Sequence, residues 1–136
     1  MNNDVIVITD TLNRVAARAG DPASLVFKRL FAGHPEAEDL FVRDDSGLVR
    51  GQMFQVTIES LLDFLGDQTY GAALVQIERT NHQGLGVSPT LFDSFYLTVM
   101  AVFRDLLGDD WTTEMEAVWT RVISDLTARS AVELAE

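Results

Sequence analysis

The sequence contains no cysteine and only two histidines, and these two shortages exclude several kinds of chemistry. Without thiols the chain has no disulfide framework, no thiolate metal site and no cysteine nucleophile. His34 and His82 are too few for a zinc or di-iron centre built from several histidines. No nucleophile elbow accompanies either histidine, so a serine hydrolase is excluded as well.

Basic residues and long apolar runs are also scarce. Ten scattered Lys and Arg residues face 21 acidic ones, which gives a formal net charge of −11. This balance disfavours binding to nucleic acid or to an anionic membrane surface, and we interpret the acidity as a solubilising surface. No apolar run approaches the about 20 residues that span a bilayer. The apolar run at residues 5–8 has no basic region before it, so it does not resemble a signal peptide. We expect a soluble, cytoplasmic protein.

What the sequence does contain is helical periodicity along one domain, residues 1–136. A first helix ends at Gly20, and Asp21 with Pro22 starts a second, which stops near Gly33. A polar loop at residues 42–47 precedes a helix whose apolar stripe ends at Gly66. That stripe consists of Phe54, Ile58, Leu61, Leu62 and Leu65.

The second half continues the pattern. A short helix around Leu74 ends between His82 and Gly86, and Ser88 with Pro89 starts a long helix that Gly108 closes. Thr113 and Glu116 predict a capping box for the last helix. The predicted core faces of the last two helices are Phe92, Phe95, Tyr96, Val99, Phe103, Leu106 and Leu107, then Met115, Val118, Trp119, Val122, Ile123 and Leu126. We predict an all-α fold of six to eight helices.

The two histidines differ in their surroundings. His34 stands in a turn before Pro35 and is expected to be an exposed or capping residue. His82 lies at the end of a short helix, where a lone histidine is more often structural than a metal ligand. An iron atom held by a porphyrin needs only one protein ligand, however, so a single histidine in a helical, aromatic-rich domain is compatible with haem.

Three segments, in order and spacing, resemble the globins, and in particular bacterial single-domain globins. The run from Val26 to Phe41 resembles the second helix and following loop of that family, and the run from His82 to Val87 resembles its proximal pattern. The landmarks of the family's final helix pair are matched by Pro89, Phe92, Leu107, Gly108, Trp111 and Trp119. The likeness extends from about Leu12 to Leu126 and implies a globin fold around a haem pocket.

The resemblance also implies a set of site residues. His82 would ligate the iron of haem b from the proximal side, with Phe27 and Phe41 on the distal side and Val87 and Phe92 among the haem contacts. The distal position 32 residues before His82 is Arg50, which is favoured and brings Phe54 and Ile58 toward the haem. A register three residues later presents Met53 and Thr57 instead. The candidate partners of the haem propionates are Arg43, Arg50 and Arg79.

Some residues depart from the family pattern. Glu78 stands four residues before His82, where an apolar residue is usual, and Ile77 is one place off, so we expect an irregular short helix. Phe27 and Phe92 stand where oxygen-detoxifying relatives carry tyrosines, and we expect no reductase domain. These features disfavour a self-contained enzyme.

The leading hypothesis is therefore reversible binding of O2, CO or NO at a haem iron ligated by His82. Two alternatives stay open: a haem-free globin-fold sensor or interaction module, and haem-dependent NO or O2 chemistry with an external reductase. An unrelated helical bundle without a cofactor is disfavoured by the spacings above. The two long final helices are candidates for pairing in a homodimer.

Overall fold

The computed structural model describes residues 3–66 and 71–131, and the part of the chain that it describes is all-α. Seven α-helices follow one another, with 3-10 turns after the third and the sixth. They are α1 (Asn3–Ala19), α2 (Ala23–Gly33), α3 (Pro35–Glu38), α4 (Leu48–Leu65), α5 (Gly71–Gly84), α6 (Pro89–Leu107) and α7 (Thr113–Ser130). This confirms the predicted fold class. Within the described ranges, no helix is both long enough and apolar enough to cross a membrane.

The predicted core of the last two helices is confirmed. All six predicted positions of α7 are buried, and of the seven in α6 only Leu106 is partly exposed. Trp119 and Phe103 lie at the centre with ring centroids 5.4 Å apart in an edge-to-face arrangement. The indole of Trp119 donates to the Thr11 hydroxyl at 3.1 Å, which ties α1 to α7 through a satisfied buried polar pair.

Helix α6 begins as predicted, whereas α7 begins differently. The Ser88 hydroxyl accepts a hydrogen bond from the Leu91 amide, and Pro89 occupies the first helical position. At α7 the capping residue is Thr112 rather than Thr113, with its hydroxyl accepting from the Met115 amide. The predicted capping box is therefore wrong.

Glu116, the second member of the predicted box, has other partners. Its carboxylate accepts from the Trp111 indole at 2.8 Å and from Arg104 at 3.2 Å. The Trp111 hydrogen bond, followed by that of Arg104, lowers the pKa of Glu116 below its ordinary value.

Helix α4 is held at its start by a buried carboxylate. Gly47 precedes it with a φ of 77°, and Asp44 accepts from the amides of Val49 and Arg50, both at 3.0 Å. Burial raises the pKa of Asp44, but these two amides and the Arg50 guanidinium outweigh it and hold the pKa below its ordinary value. An ionised group here also stabilises the positive end of the helix.

The predicted apolar stripe of α4 is confirmed in part. Leu61 and Leu65 are buried, and Phe54 and Ile58 pack against the core while partly exposed. Leu62 is exposed, and Phe64, which lies outside the predicted stripe, is buried in its place. The buried face of α4 is therefore rotated slightly from the predicted one.

Helix α5 starts against the end of α4. A Cβ atom at Gly71 would lie only 2.6 Å from the Phe64 backbone nitrogen, so this position accommodates no larger residue without a backbone shift. From Gly71 the helix runs without interruption to Gly84. The irregularity expected around Ile77 and Glu78 is therefore absent, because Glu78 fits the regular turn and Ile77 points outward, half exposed.

Candidate functional site

A cavity of about 460 Å³ lies between α4 and α5. Its volume is within the range of about 300–1,000 Å³ typical of small-molecule sites. Helix α6 contributes the third wall, and the segment from α2 to the first 3-10 turn contributes the fourth. The lining residues are Leu30, Ala37, Leu40, Phe41, Val49, Gln52, Met53, Val56, Thr57, Leu74, Val75, Glu78, His82, Leu85, Val87, Leu91, Phe92, Phe95 and Tyr96.

His82 lies in the α5 wall, and its ring orientation is set by the helix itself. Its Nδ1 is 2.7 Å from the backbone carbonyl oxygen of Glu78, one turn earlier. A carbonyl only accepts hydrogen bonds, so Nδ1 carries the ring proton. Nε2 is then the nitrogen with the lone pair, and the imidazole is prepared to act as a ligand through it.

The Phe92 ring and the turn after α5 fix His82 further. The Phe92 ring meets the imidazole edge to face, with centroids 5.2 Å apart. The His82 carbonyl oxygen accepts from the amides of Leu85 and Val87, both at 2.9 Å. Gly86 has a φ of 92°, a conformation that favours glycine and lets the chain turn back toward α6. Backbone and side chain of His82 are thus both held at the cavity wall.

The cavity mouth is unusually apolar for a surface. Five large apolar side chains that line it are exposed, from Val56 and Leu74 at 46% to Leu85 at 71%. The other two are Leu40 and Val49. Covering such side chains is favourable by roughly 25 cal/mol per Å² of apolar area. This wall therefore favours a ligand with large apolar faces.

The structure brings six of the eleven predicted site residues together around this cavity. Met53 and Thr57, the alternative register of α4, face His82 from the opposite wall. The six are Phe41, Met53, Thr57, His82, Val87 and Phe92.

Three predicted apolar site residues do not line this cavity. Phe27 lies behind it, with its ring 5.4 Å from that of Phe41 and 5.2 Å from that of Phe95, centroid to centroid. Phe54 packs edge to face on Phe103, and Ile58 packs against the core.

The predicted arginines lie elsewhere too. Arg50 pairs with Asp44, its Nε 3.0 Å from Oδ2, and lines a separate cavity beside Phe27. Arg79 is buried in an ion pair with Asp93, and Arg43 is exposed in the loop before α4. His34 ends α2 with its Nδ1 3.4 Å from a Glu36 carboxylate oxygen, as a capping turn residue would.

Sequence reasoning did not assign Gln52 or Tyr96 to the site. Gln52 carries an N–H donor on the α4 wall, whereas the Thr57 hydroxyl donates to its own helix at the Met53 carbonyl. A signal for this wall existed, because Val49, Met53 and Val56 are apolar yet lie off the predicted stripe. A helix with two apolar faces has two surfaces to cover.

Tyr96 lies at the bottom of the cavity on α6. Burial, partly offset by a hydrogen bond with Ser60, raises the pKa of its phenol to about 12. The phenol is therefore neutral throughout the physiological range, and the cavity floor adds no charge.

Comparison with known proteins gives one match. A family model described as Globin matches residues 24–130, which is well over half of the chain. No curated protein and no solved structure matches it. The matched range contains the whole cavity wall described above.

Proposed function

The chain belongs to the globin family, and we propose that it binds haem b through His82 and, at the haem iron, reversibly binds a diatomic gas such as O2, CO or NO. Globins in general bind haem. The observation that carries the proposal for this chain is the His82 ring, held by the Glu78 carbonyl with Nε2 free to coordinate, in the wall of an apolar cavity.

The donor set fits a metal that brings most of its own ligands. Across residues 3–66 and 71–131, no three His, Cys, Asp or Glu side chains are grouped as a metal site. Haem supplies four porphyrin nitrogens and an exchangeable position on its iron, so one imidazole is sufficient. With no cysteine in the chain, the group would be held without thioether bonds, as haem b is.

The cavity walls have the matching shape and polarity. Phe41, Val49 and Leu85 offer apolar surface to flat apolar faces, and neither Lys nor Arg is among the described lining residues. The described lining residues would thus offer no cation to the carboxylates of such a group, which would need solvent at the open mouth. His82 would hold and orient the group from α5, and the apolar residues would exclude water from it.

Gas selectivity is assigned to the opposite wall. Gln52 is the lining residue of α4 that offers an N–H donor toward a polar bound ligand, while Met53 and Val56 offer only apolar contacts. A hydrogen bond of this kind contributes about 0.5–1.5 kcal/mol. It would favour bound O2, which is polar when bound, over CO.

Haem titration of the purified protein tests the ligation. We expect wild type to take up one equivalent of haem with a Soret band, and His82→Ala to lose that band or shift it. His34→Ala is the matched control, because it removes the other histidine, and it should behave as wild type. Added imidazole should restore the spectrum of His82→Ala. An unchanged spectrum in His82→Ala, or wild type that stays colourless, would contradict the proposal.

Gas binding tests the second half of the proposal. Rapid mixing of ferrous protein with O2 and CO should show reversible binding, with Gln52→Leu raising the O2 dissociation rate by roughly two- to tenfold. Gln55→Leu, on the same helix but outside the cavity, should leave both rates unchanged. Equal effects of the two variants would remove Gln52 from the site.

A further inference from the structure

Arg79 is a buried cation one turn before His82, on the side of α5 that faces α6 and α7. Its side chain is 10% exposed, and its Nη2 lies 2.6 Å from Asp93 Oδ1 and 2.9 Å from Ser130 Oγ. The same nitrogen donates to the Thr127 carbonyl at 3.2 Å. One guanidinium thus joins α5 to both α6 and α7.

Burial of this arginine is costly, which argues for a role beyond surface solvation. Arginine is rarely buried to this extent unless it is paired. The pairing is also incomplete, since Nε is buried and has no hydrogen-bond partner among the described residues. An apolar residue of similar size would connect the same helices without that penalty.

The guanidinium is also connected to His82 through an aromatic ring. Its central carbon lies 4.9 Å from the centroid of Phe92, in a cation–π arrangement. The His82 imidazole is another neighbour of that ring, 5.2 Å away edge to face. Asp93, which neutralises Arg79, is the residue after Phe92. The central carbon of Arg79 therefore lies within about 10 Å of the centre of the His82 ring, and Asp93 pairs with the same guanidinium.

We propose that the Arg79–Asp93 pair is a positioning and electrostatic element for His82 that sets the reduction potential of the iron it ligates. Arg79 holds the Phe92 ring against the imidazole, and Asp93 cancels the positive charge that Arg79 brings there. This inference rests on the proposed haem function. It gives Arg79 a role beside His82, whereas the sequence predicts that Arg79 contacts the haem propionates. The Glu78 carboxylate lies 4.0 Å from His82 Nδ1. It is unchanged in every variant below, so its electrostatic effect on His82 is the same in all of them.

The charges predict opposite effects for the two partners. Asp93→Asn leaves the positive charge of Arg79 unbalanced, which stabilises the ferrous iron over the ferric iron and raises the midpoint potential. Arg79→Gln leaves the negative charge of Asp93 unbalanced and lowers it. For one charge about 10 Å from the site in a partly screened interior, each change should shift the ferrous-to-ferric ratio by roughly five- to fifteenfold.

Spectroelectrochemical titration of the haem-loaded protein measures these shifts. The double variant, which is neutral again, should return toward the wild-type potential. Arg79→Lys, which keeps the charge but loses the planar fork, should keep the potential while lowering the unfolding temperature. Asp105→Asn and Arg29→Gln are the matched controls, since they break an ion pair about 18 Å further along α6. These two should leave the potential unchanged.

The outcomes separate this inference from the function on which it rests. Shifts of opposite sign that cancel in the double variant support it. Shifts of the same sign, or none, in variants with a normal Soret band overturn it alone and leave haem binding intact. If Arg79→Gln fails to fold, Asp93→Asn decides alone, a raised potential supporting the inference and an unchanged one overturning it. Wild type that takes up no haem overturns both proposals.

Discussion

Helices α5 and α6 form adjacent walls of one cavity but are stabilised in opposite ways. Eight of the 19 residues of α6 are buried, and all eight are apolar or aromatic. Of the 14 residues of α5, only Gly71, Val75 and Arg79 are buried, and the large side chains of Leu74 and Ile77 are about half exposed. Helix α6 is therefore held by the core along its length, whereas α5 contributes Val75 to the core and otherwise depends on a glycine contact, an ion pair and whatever covers its apolar face.

The largest expected effect on stability comes from removing a core side chain of α6. Phe103 is fully buried against Trp119, so Phe103→Ala leaves a cavity that the core cannot close. We expect the free energy of unfolding to fall by about 3–5 kcal/mol, measured by denaturant titration of the helical circular dichroism. Leu97→Ala, exposed on the same helix, should change it by less than about 0.5 kcal/mol. A loss below about 1 kcal/mol for Phe103→Ala would contradict the described core.

A smaller effect tests α5. Leu74→Ala should leave the stability of the haem-free protein nearly unchanged, because Leu74 is 46% exposed, but should weaken haem binding by about tenfold. Ile77 has similar exposure and does not line the cavity, so Ile77→Ala should leave haem affinity unchanged. Competition for haem with an apoprotein of known affinity measures both. If the two variants weaken binding equally, the assigned wall of α5 is wrong.

The smallest effect comes from Tyr96, where α6 meets the cavity. Its folded pKa of about 12 exceeds the value of about 10 for an exposed phenol, so burial of the neutral form stabilises the fold fully below pH 10. This contribution is lost as the pH rises from 10 to 12, by about 1 kcal/mol at pH 11.

Tyr96→Phe removes that titration, so stability should fall less steeply above pH 10 in the variant than in wild type. Urea unfolding at a series of pH values gives the two slopes, and the difference in phenolate absorbance assigns the titration to Tyr96. Parallel slopes would show that Tyr96 is not the buried phenol.

The same contrast explains how much the sequence predicted. The faces of α6 and α7 carry apolar residues at regular helical spacing, and burial follows spacing wherever a helix packs on a core. The start of α6 was predicted correctly as well, since the capping residue Ser88 and the first helical residue Pro89 are adjacent in the sequence. The predicted cap at Thr113 was one residue off, because two consecutive threonines offer the same hydroxyl and only the backbone conformation distinguishes them.

The cavity wall was harder to predict because its residues must both fit the cavity and form hydrogen bonds and ion pairs elsewhere in the fold. Arg50 matches the family spacing, but its amide and guanidinium donate to Asp44 at the start of α4. Gln52 and Met53 line the cavity instead. Arg79 is predicted as a partner of the haem propionates, yet the structure pairs it with Asp93 and Ser130, which lie 14 and 51 residues further along the chain. Pairings at that distance leave no periodic trace in a single sequence.

The close approach of Gly71 to Phe64 holds α4 and α5 together at one end of the cavity. The lining residues of the two helices extend away from this contact, from Thr57 back to Val49 in α4 and from Leu74 to His82 in α5. His82 is eleven residues from Gly71, about 16 Å along the helix axis. A tilt of 5° at the joint would displace the imidazole by about 1.4 Å, so the proposed ligation of iron by His82 depends on this contact. The absence of a side chain at Gly71 thus bears on the position of His82, eleven residues further along the same helix.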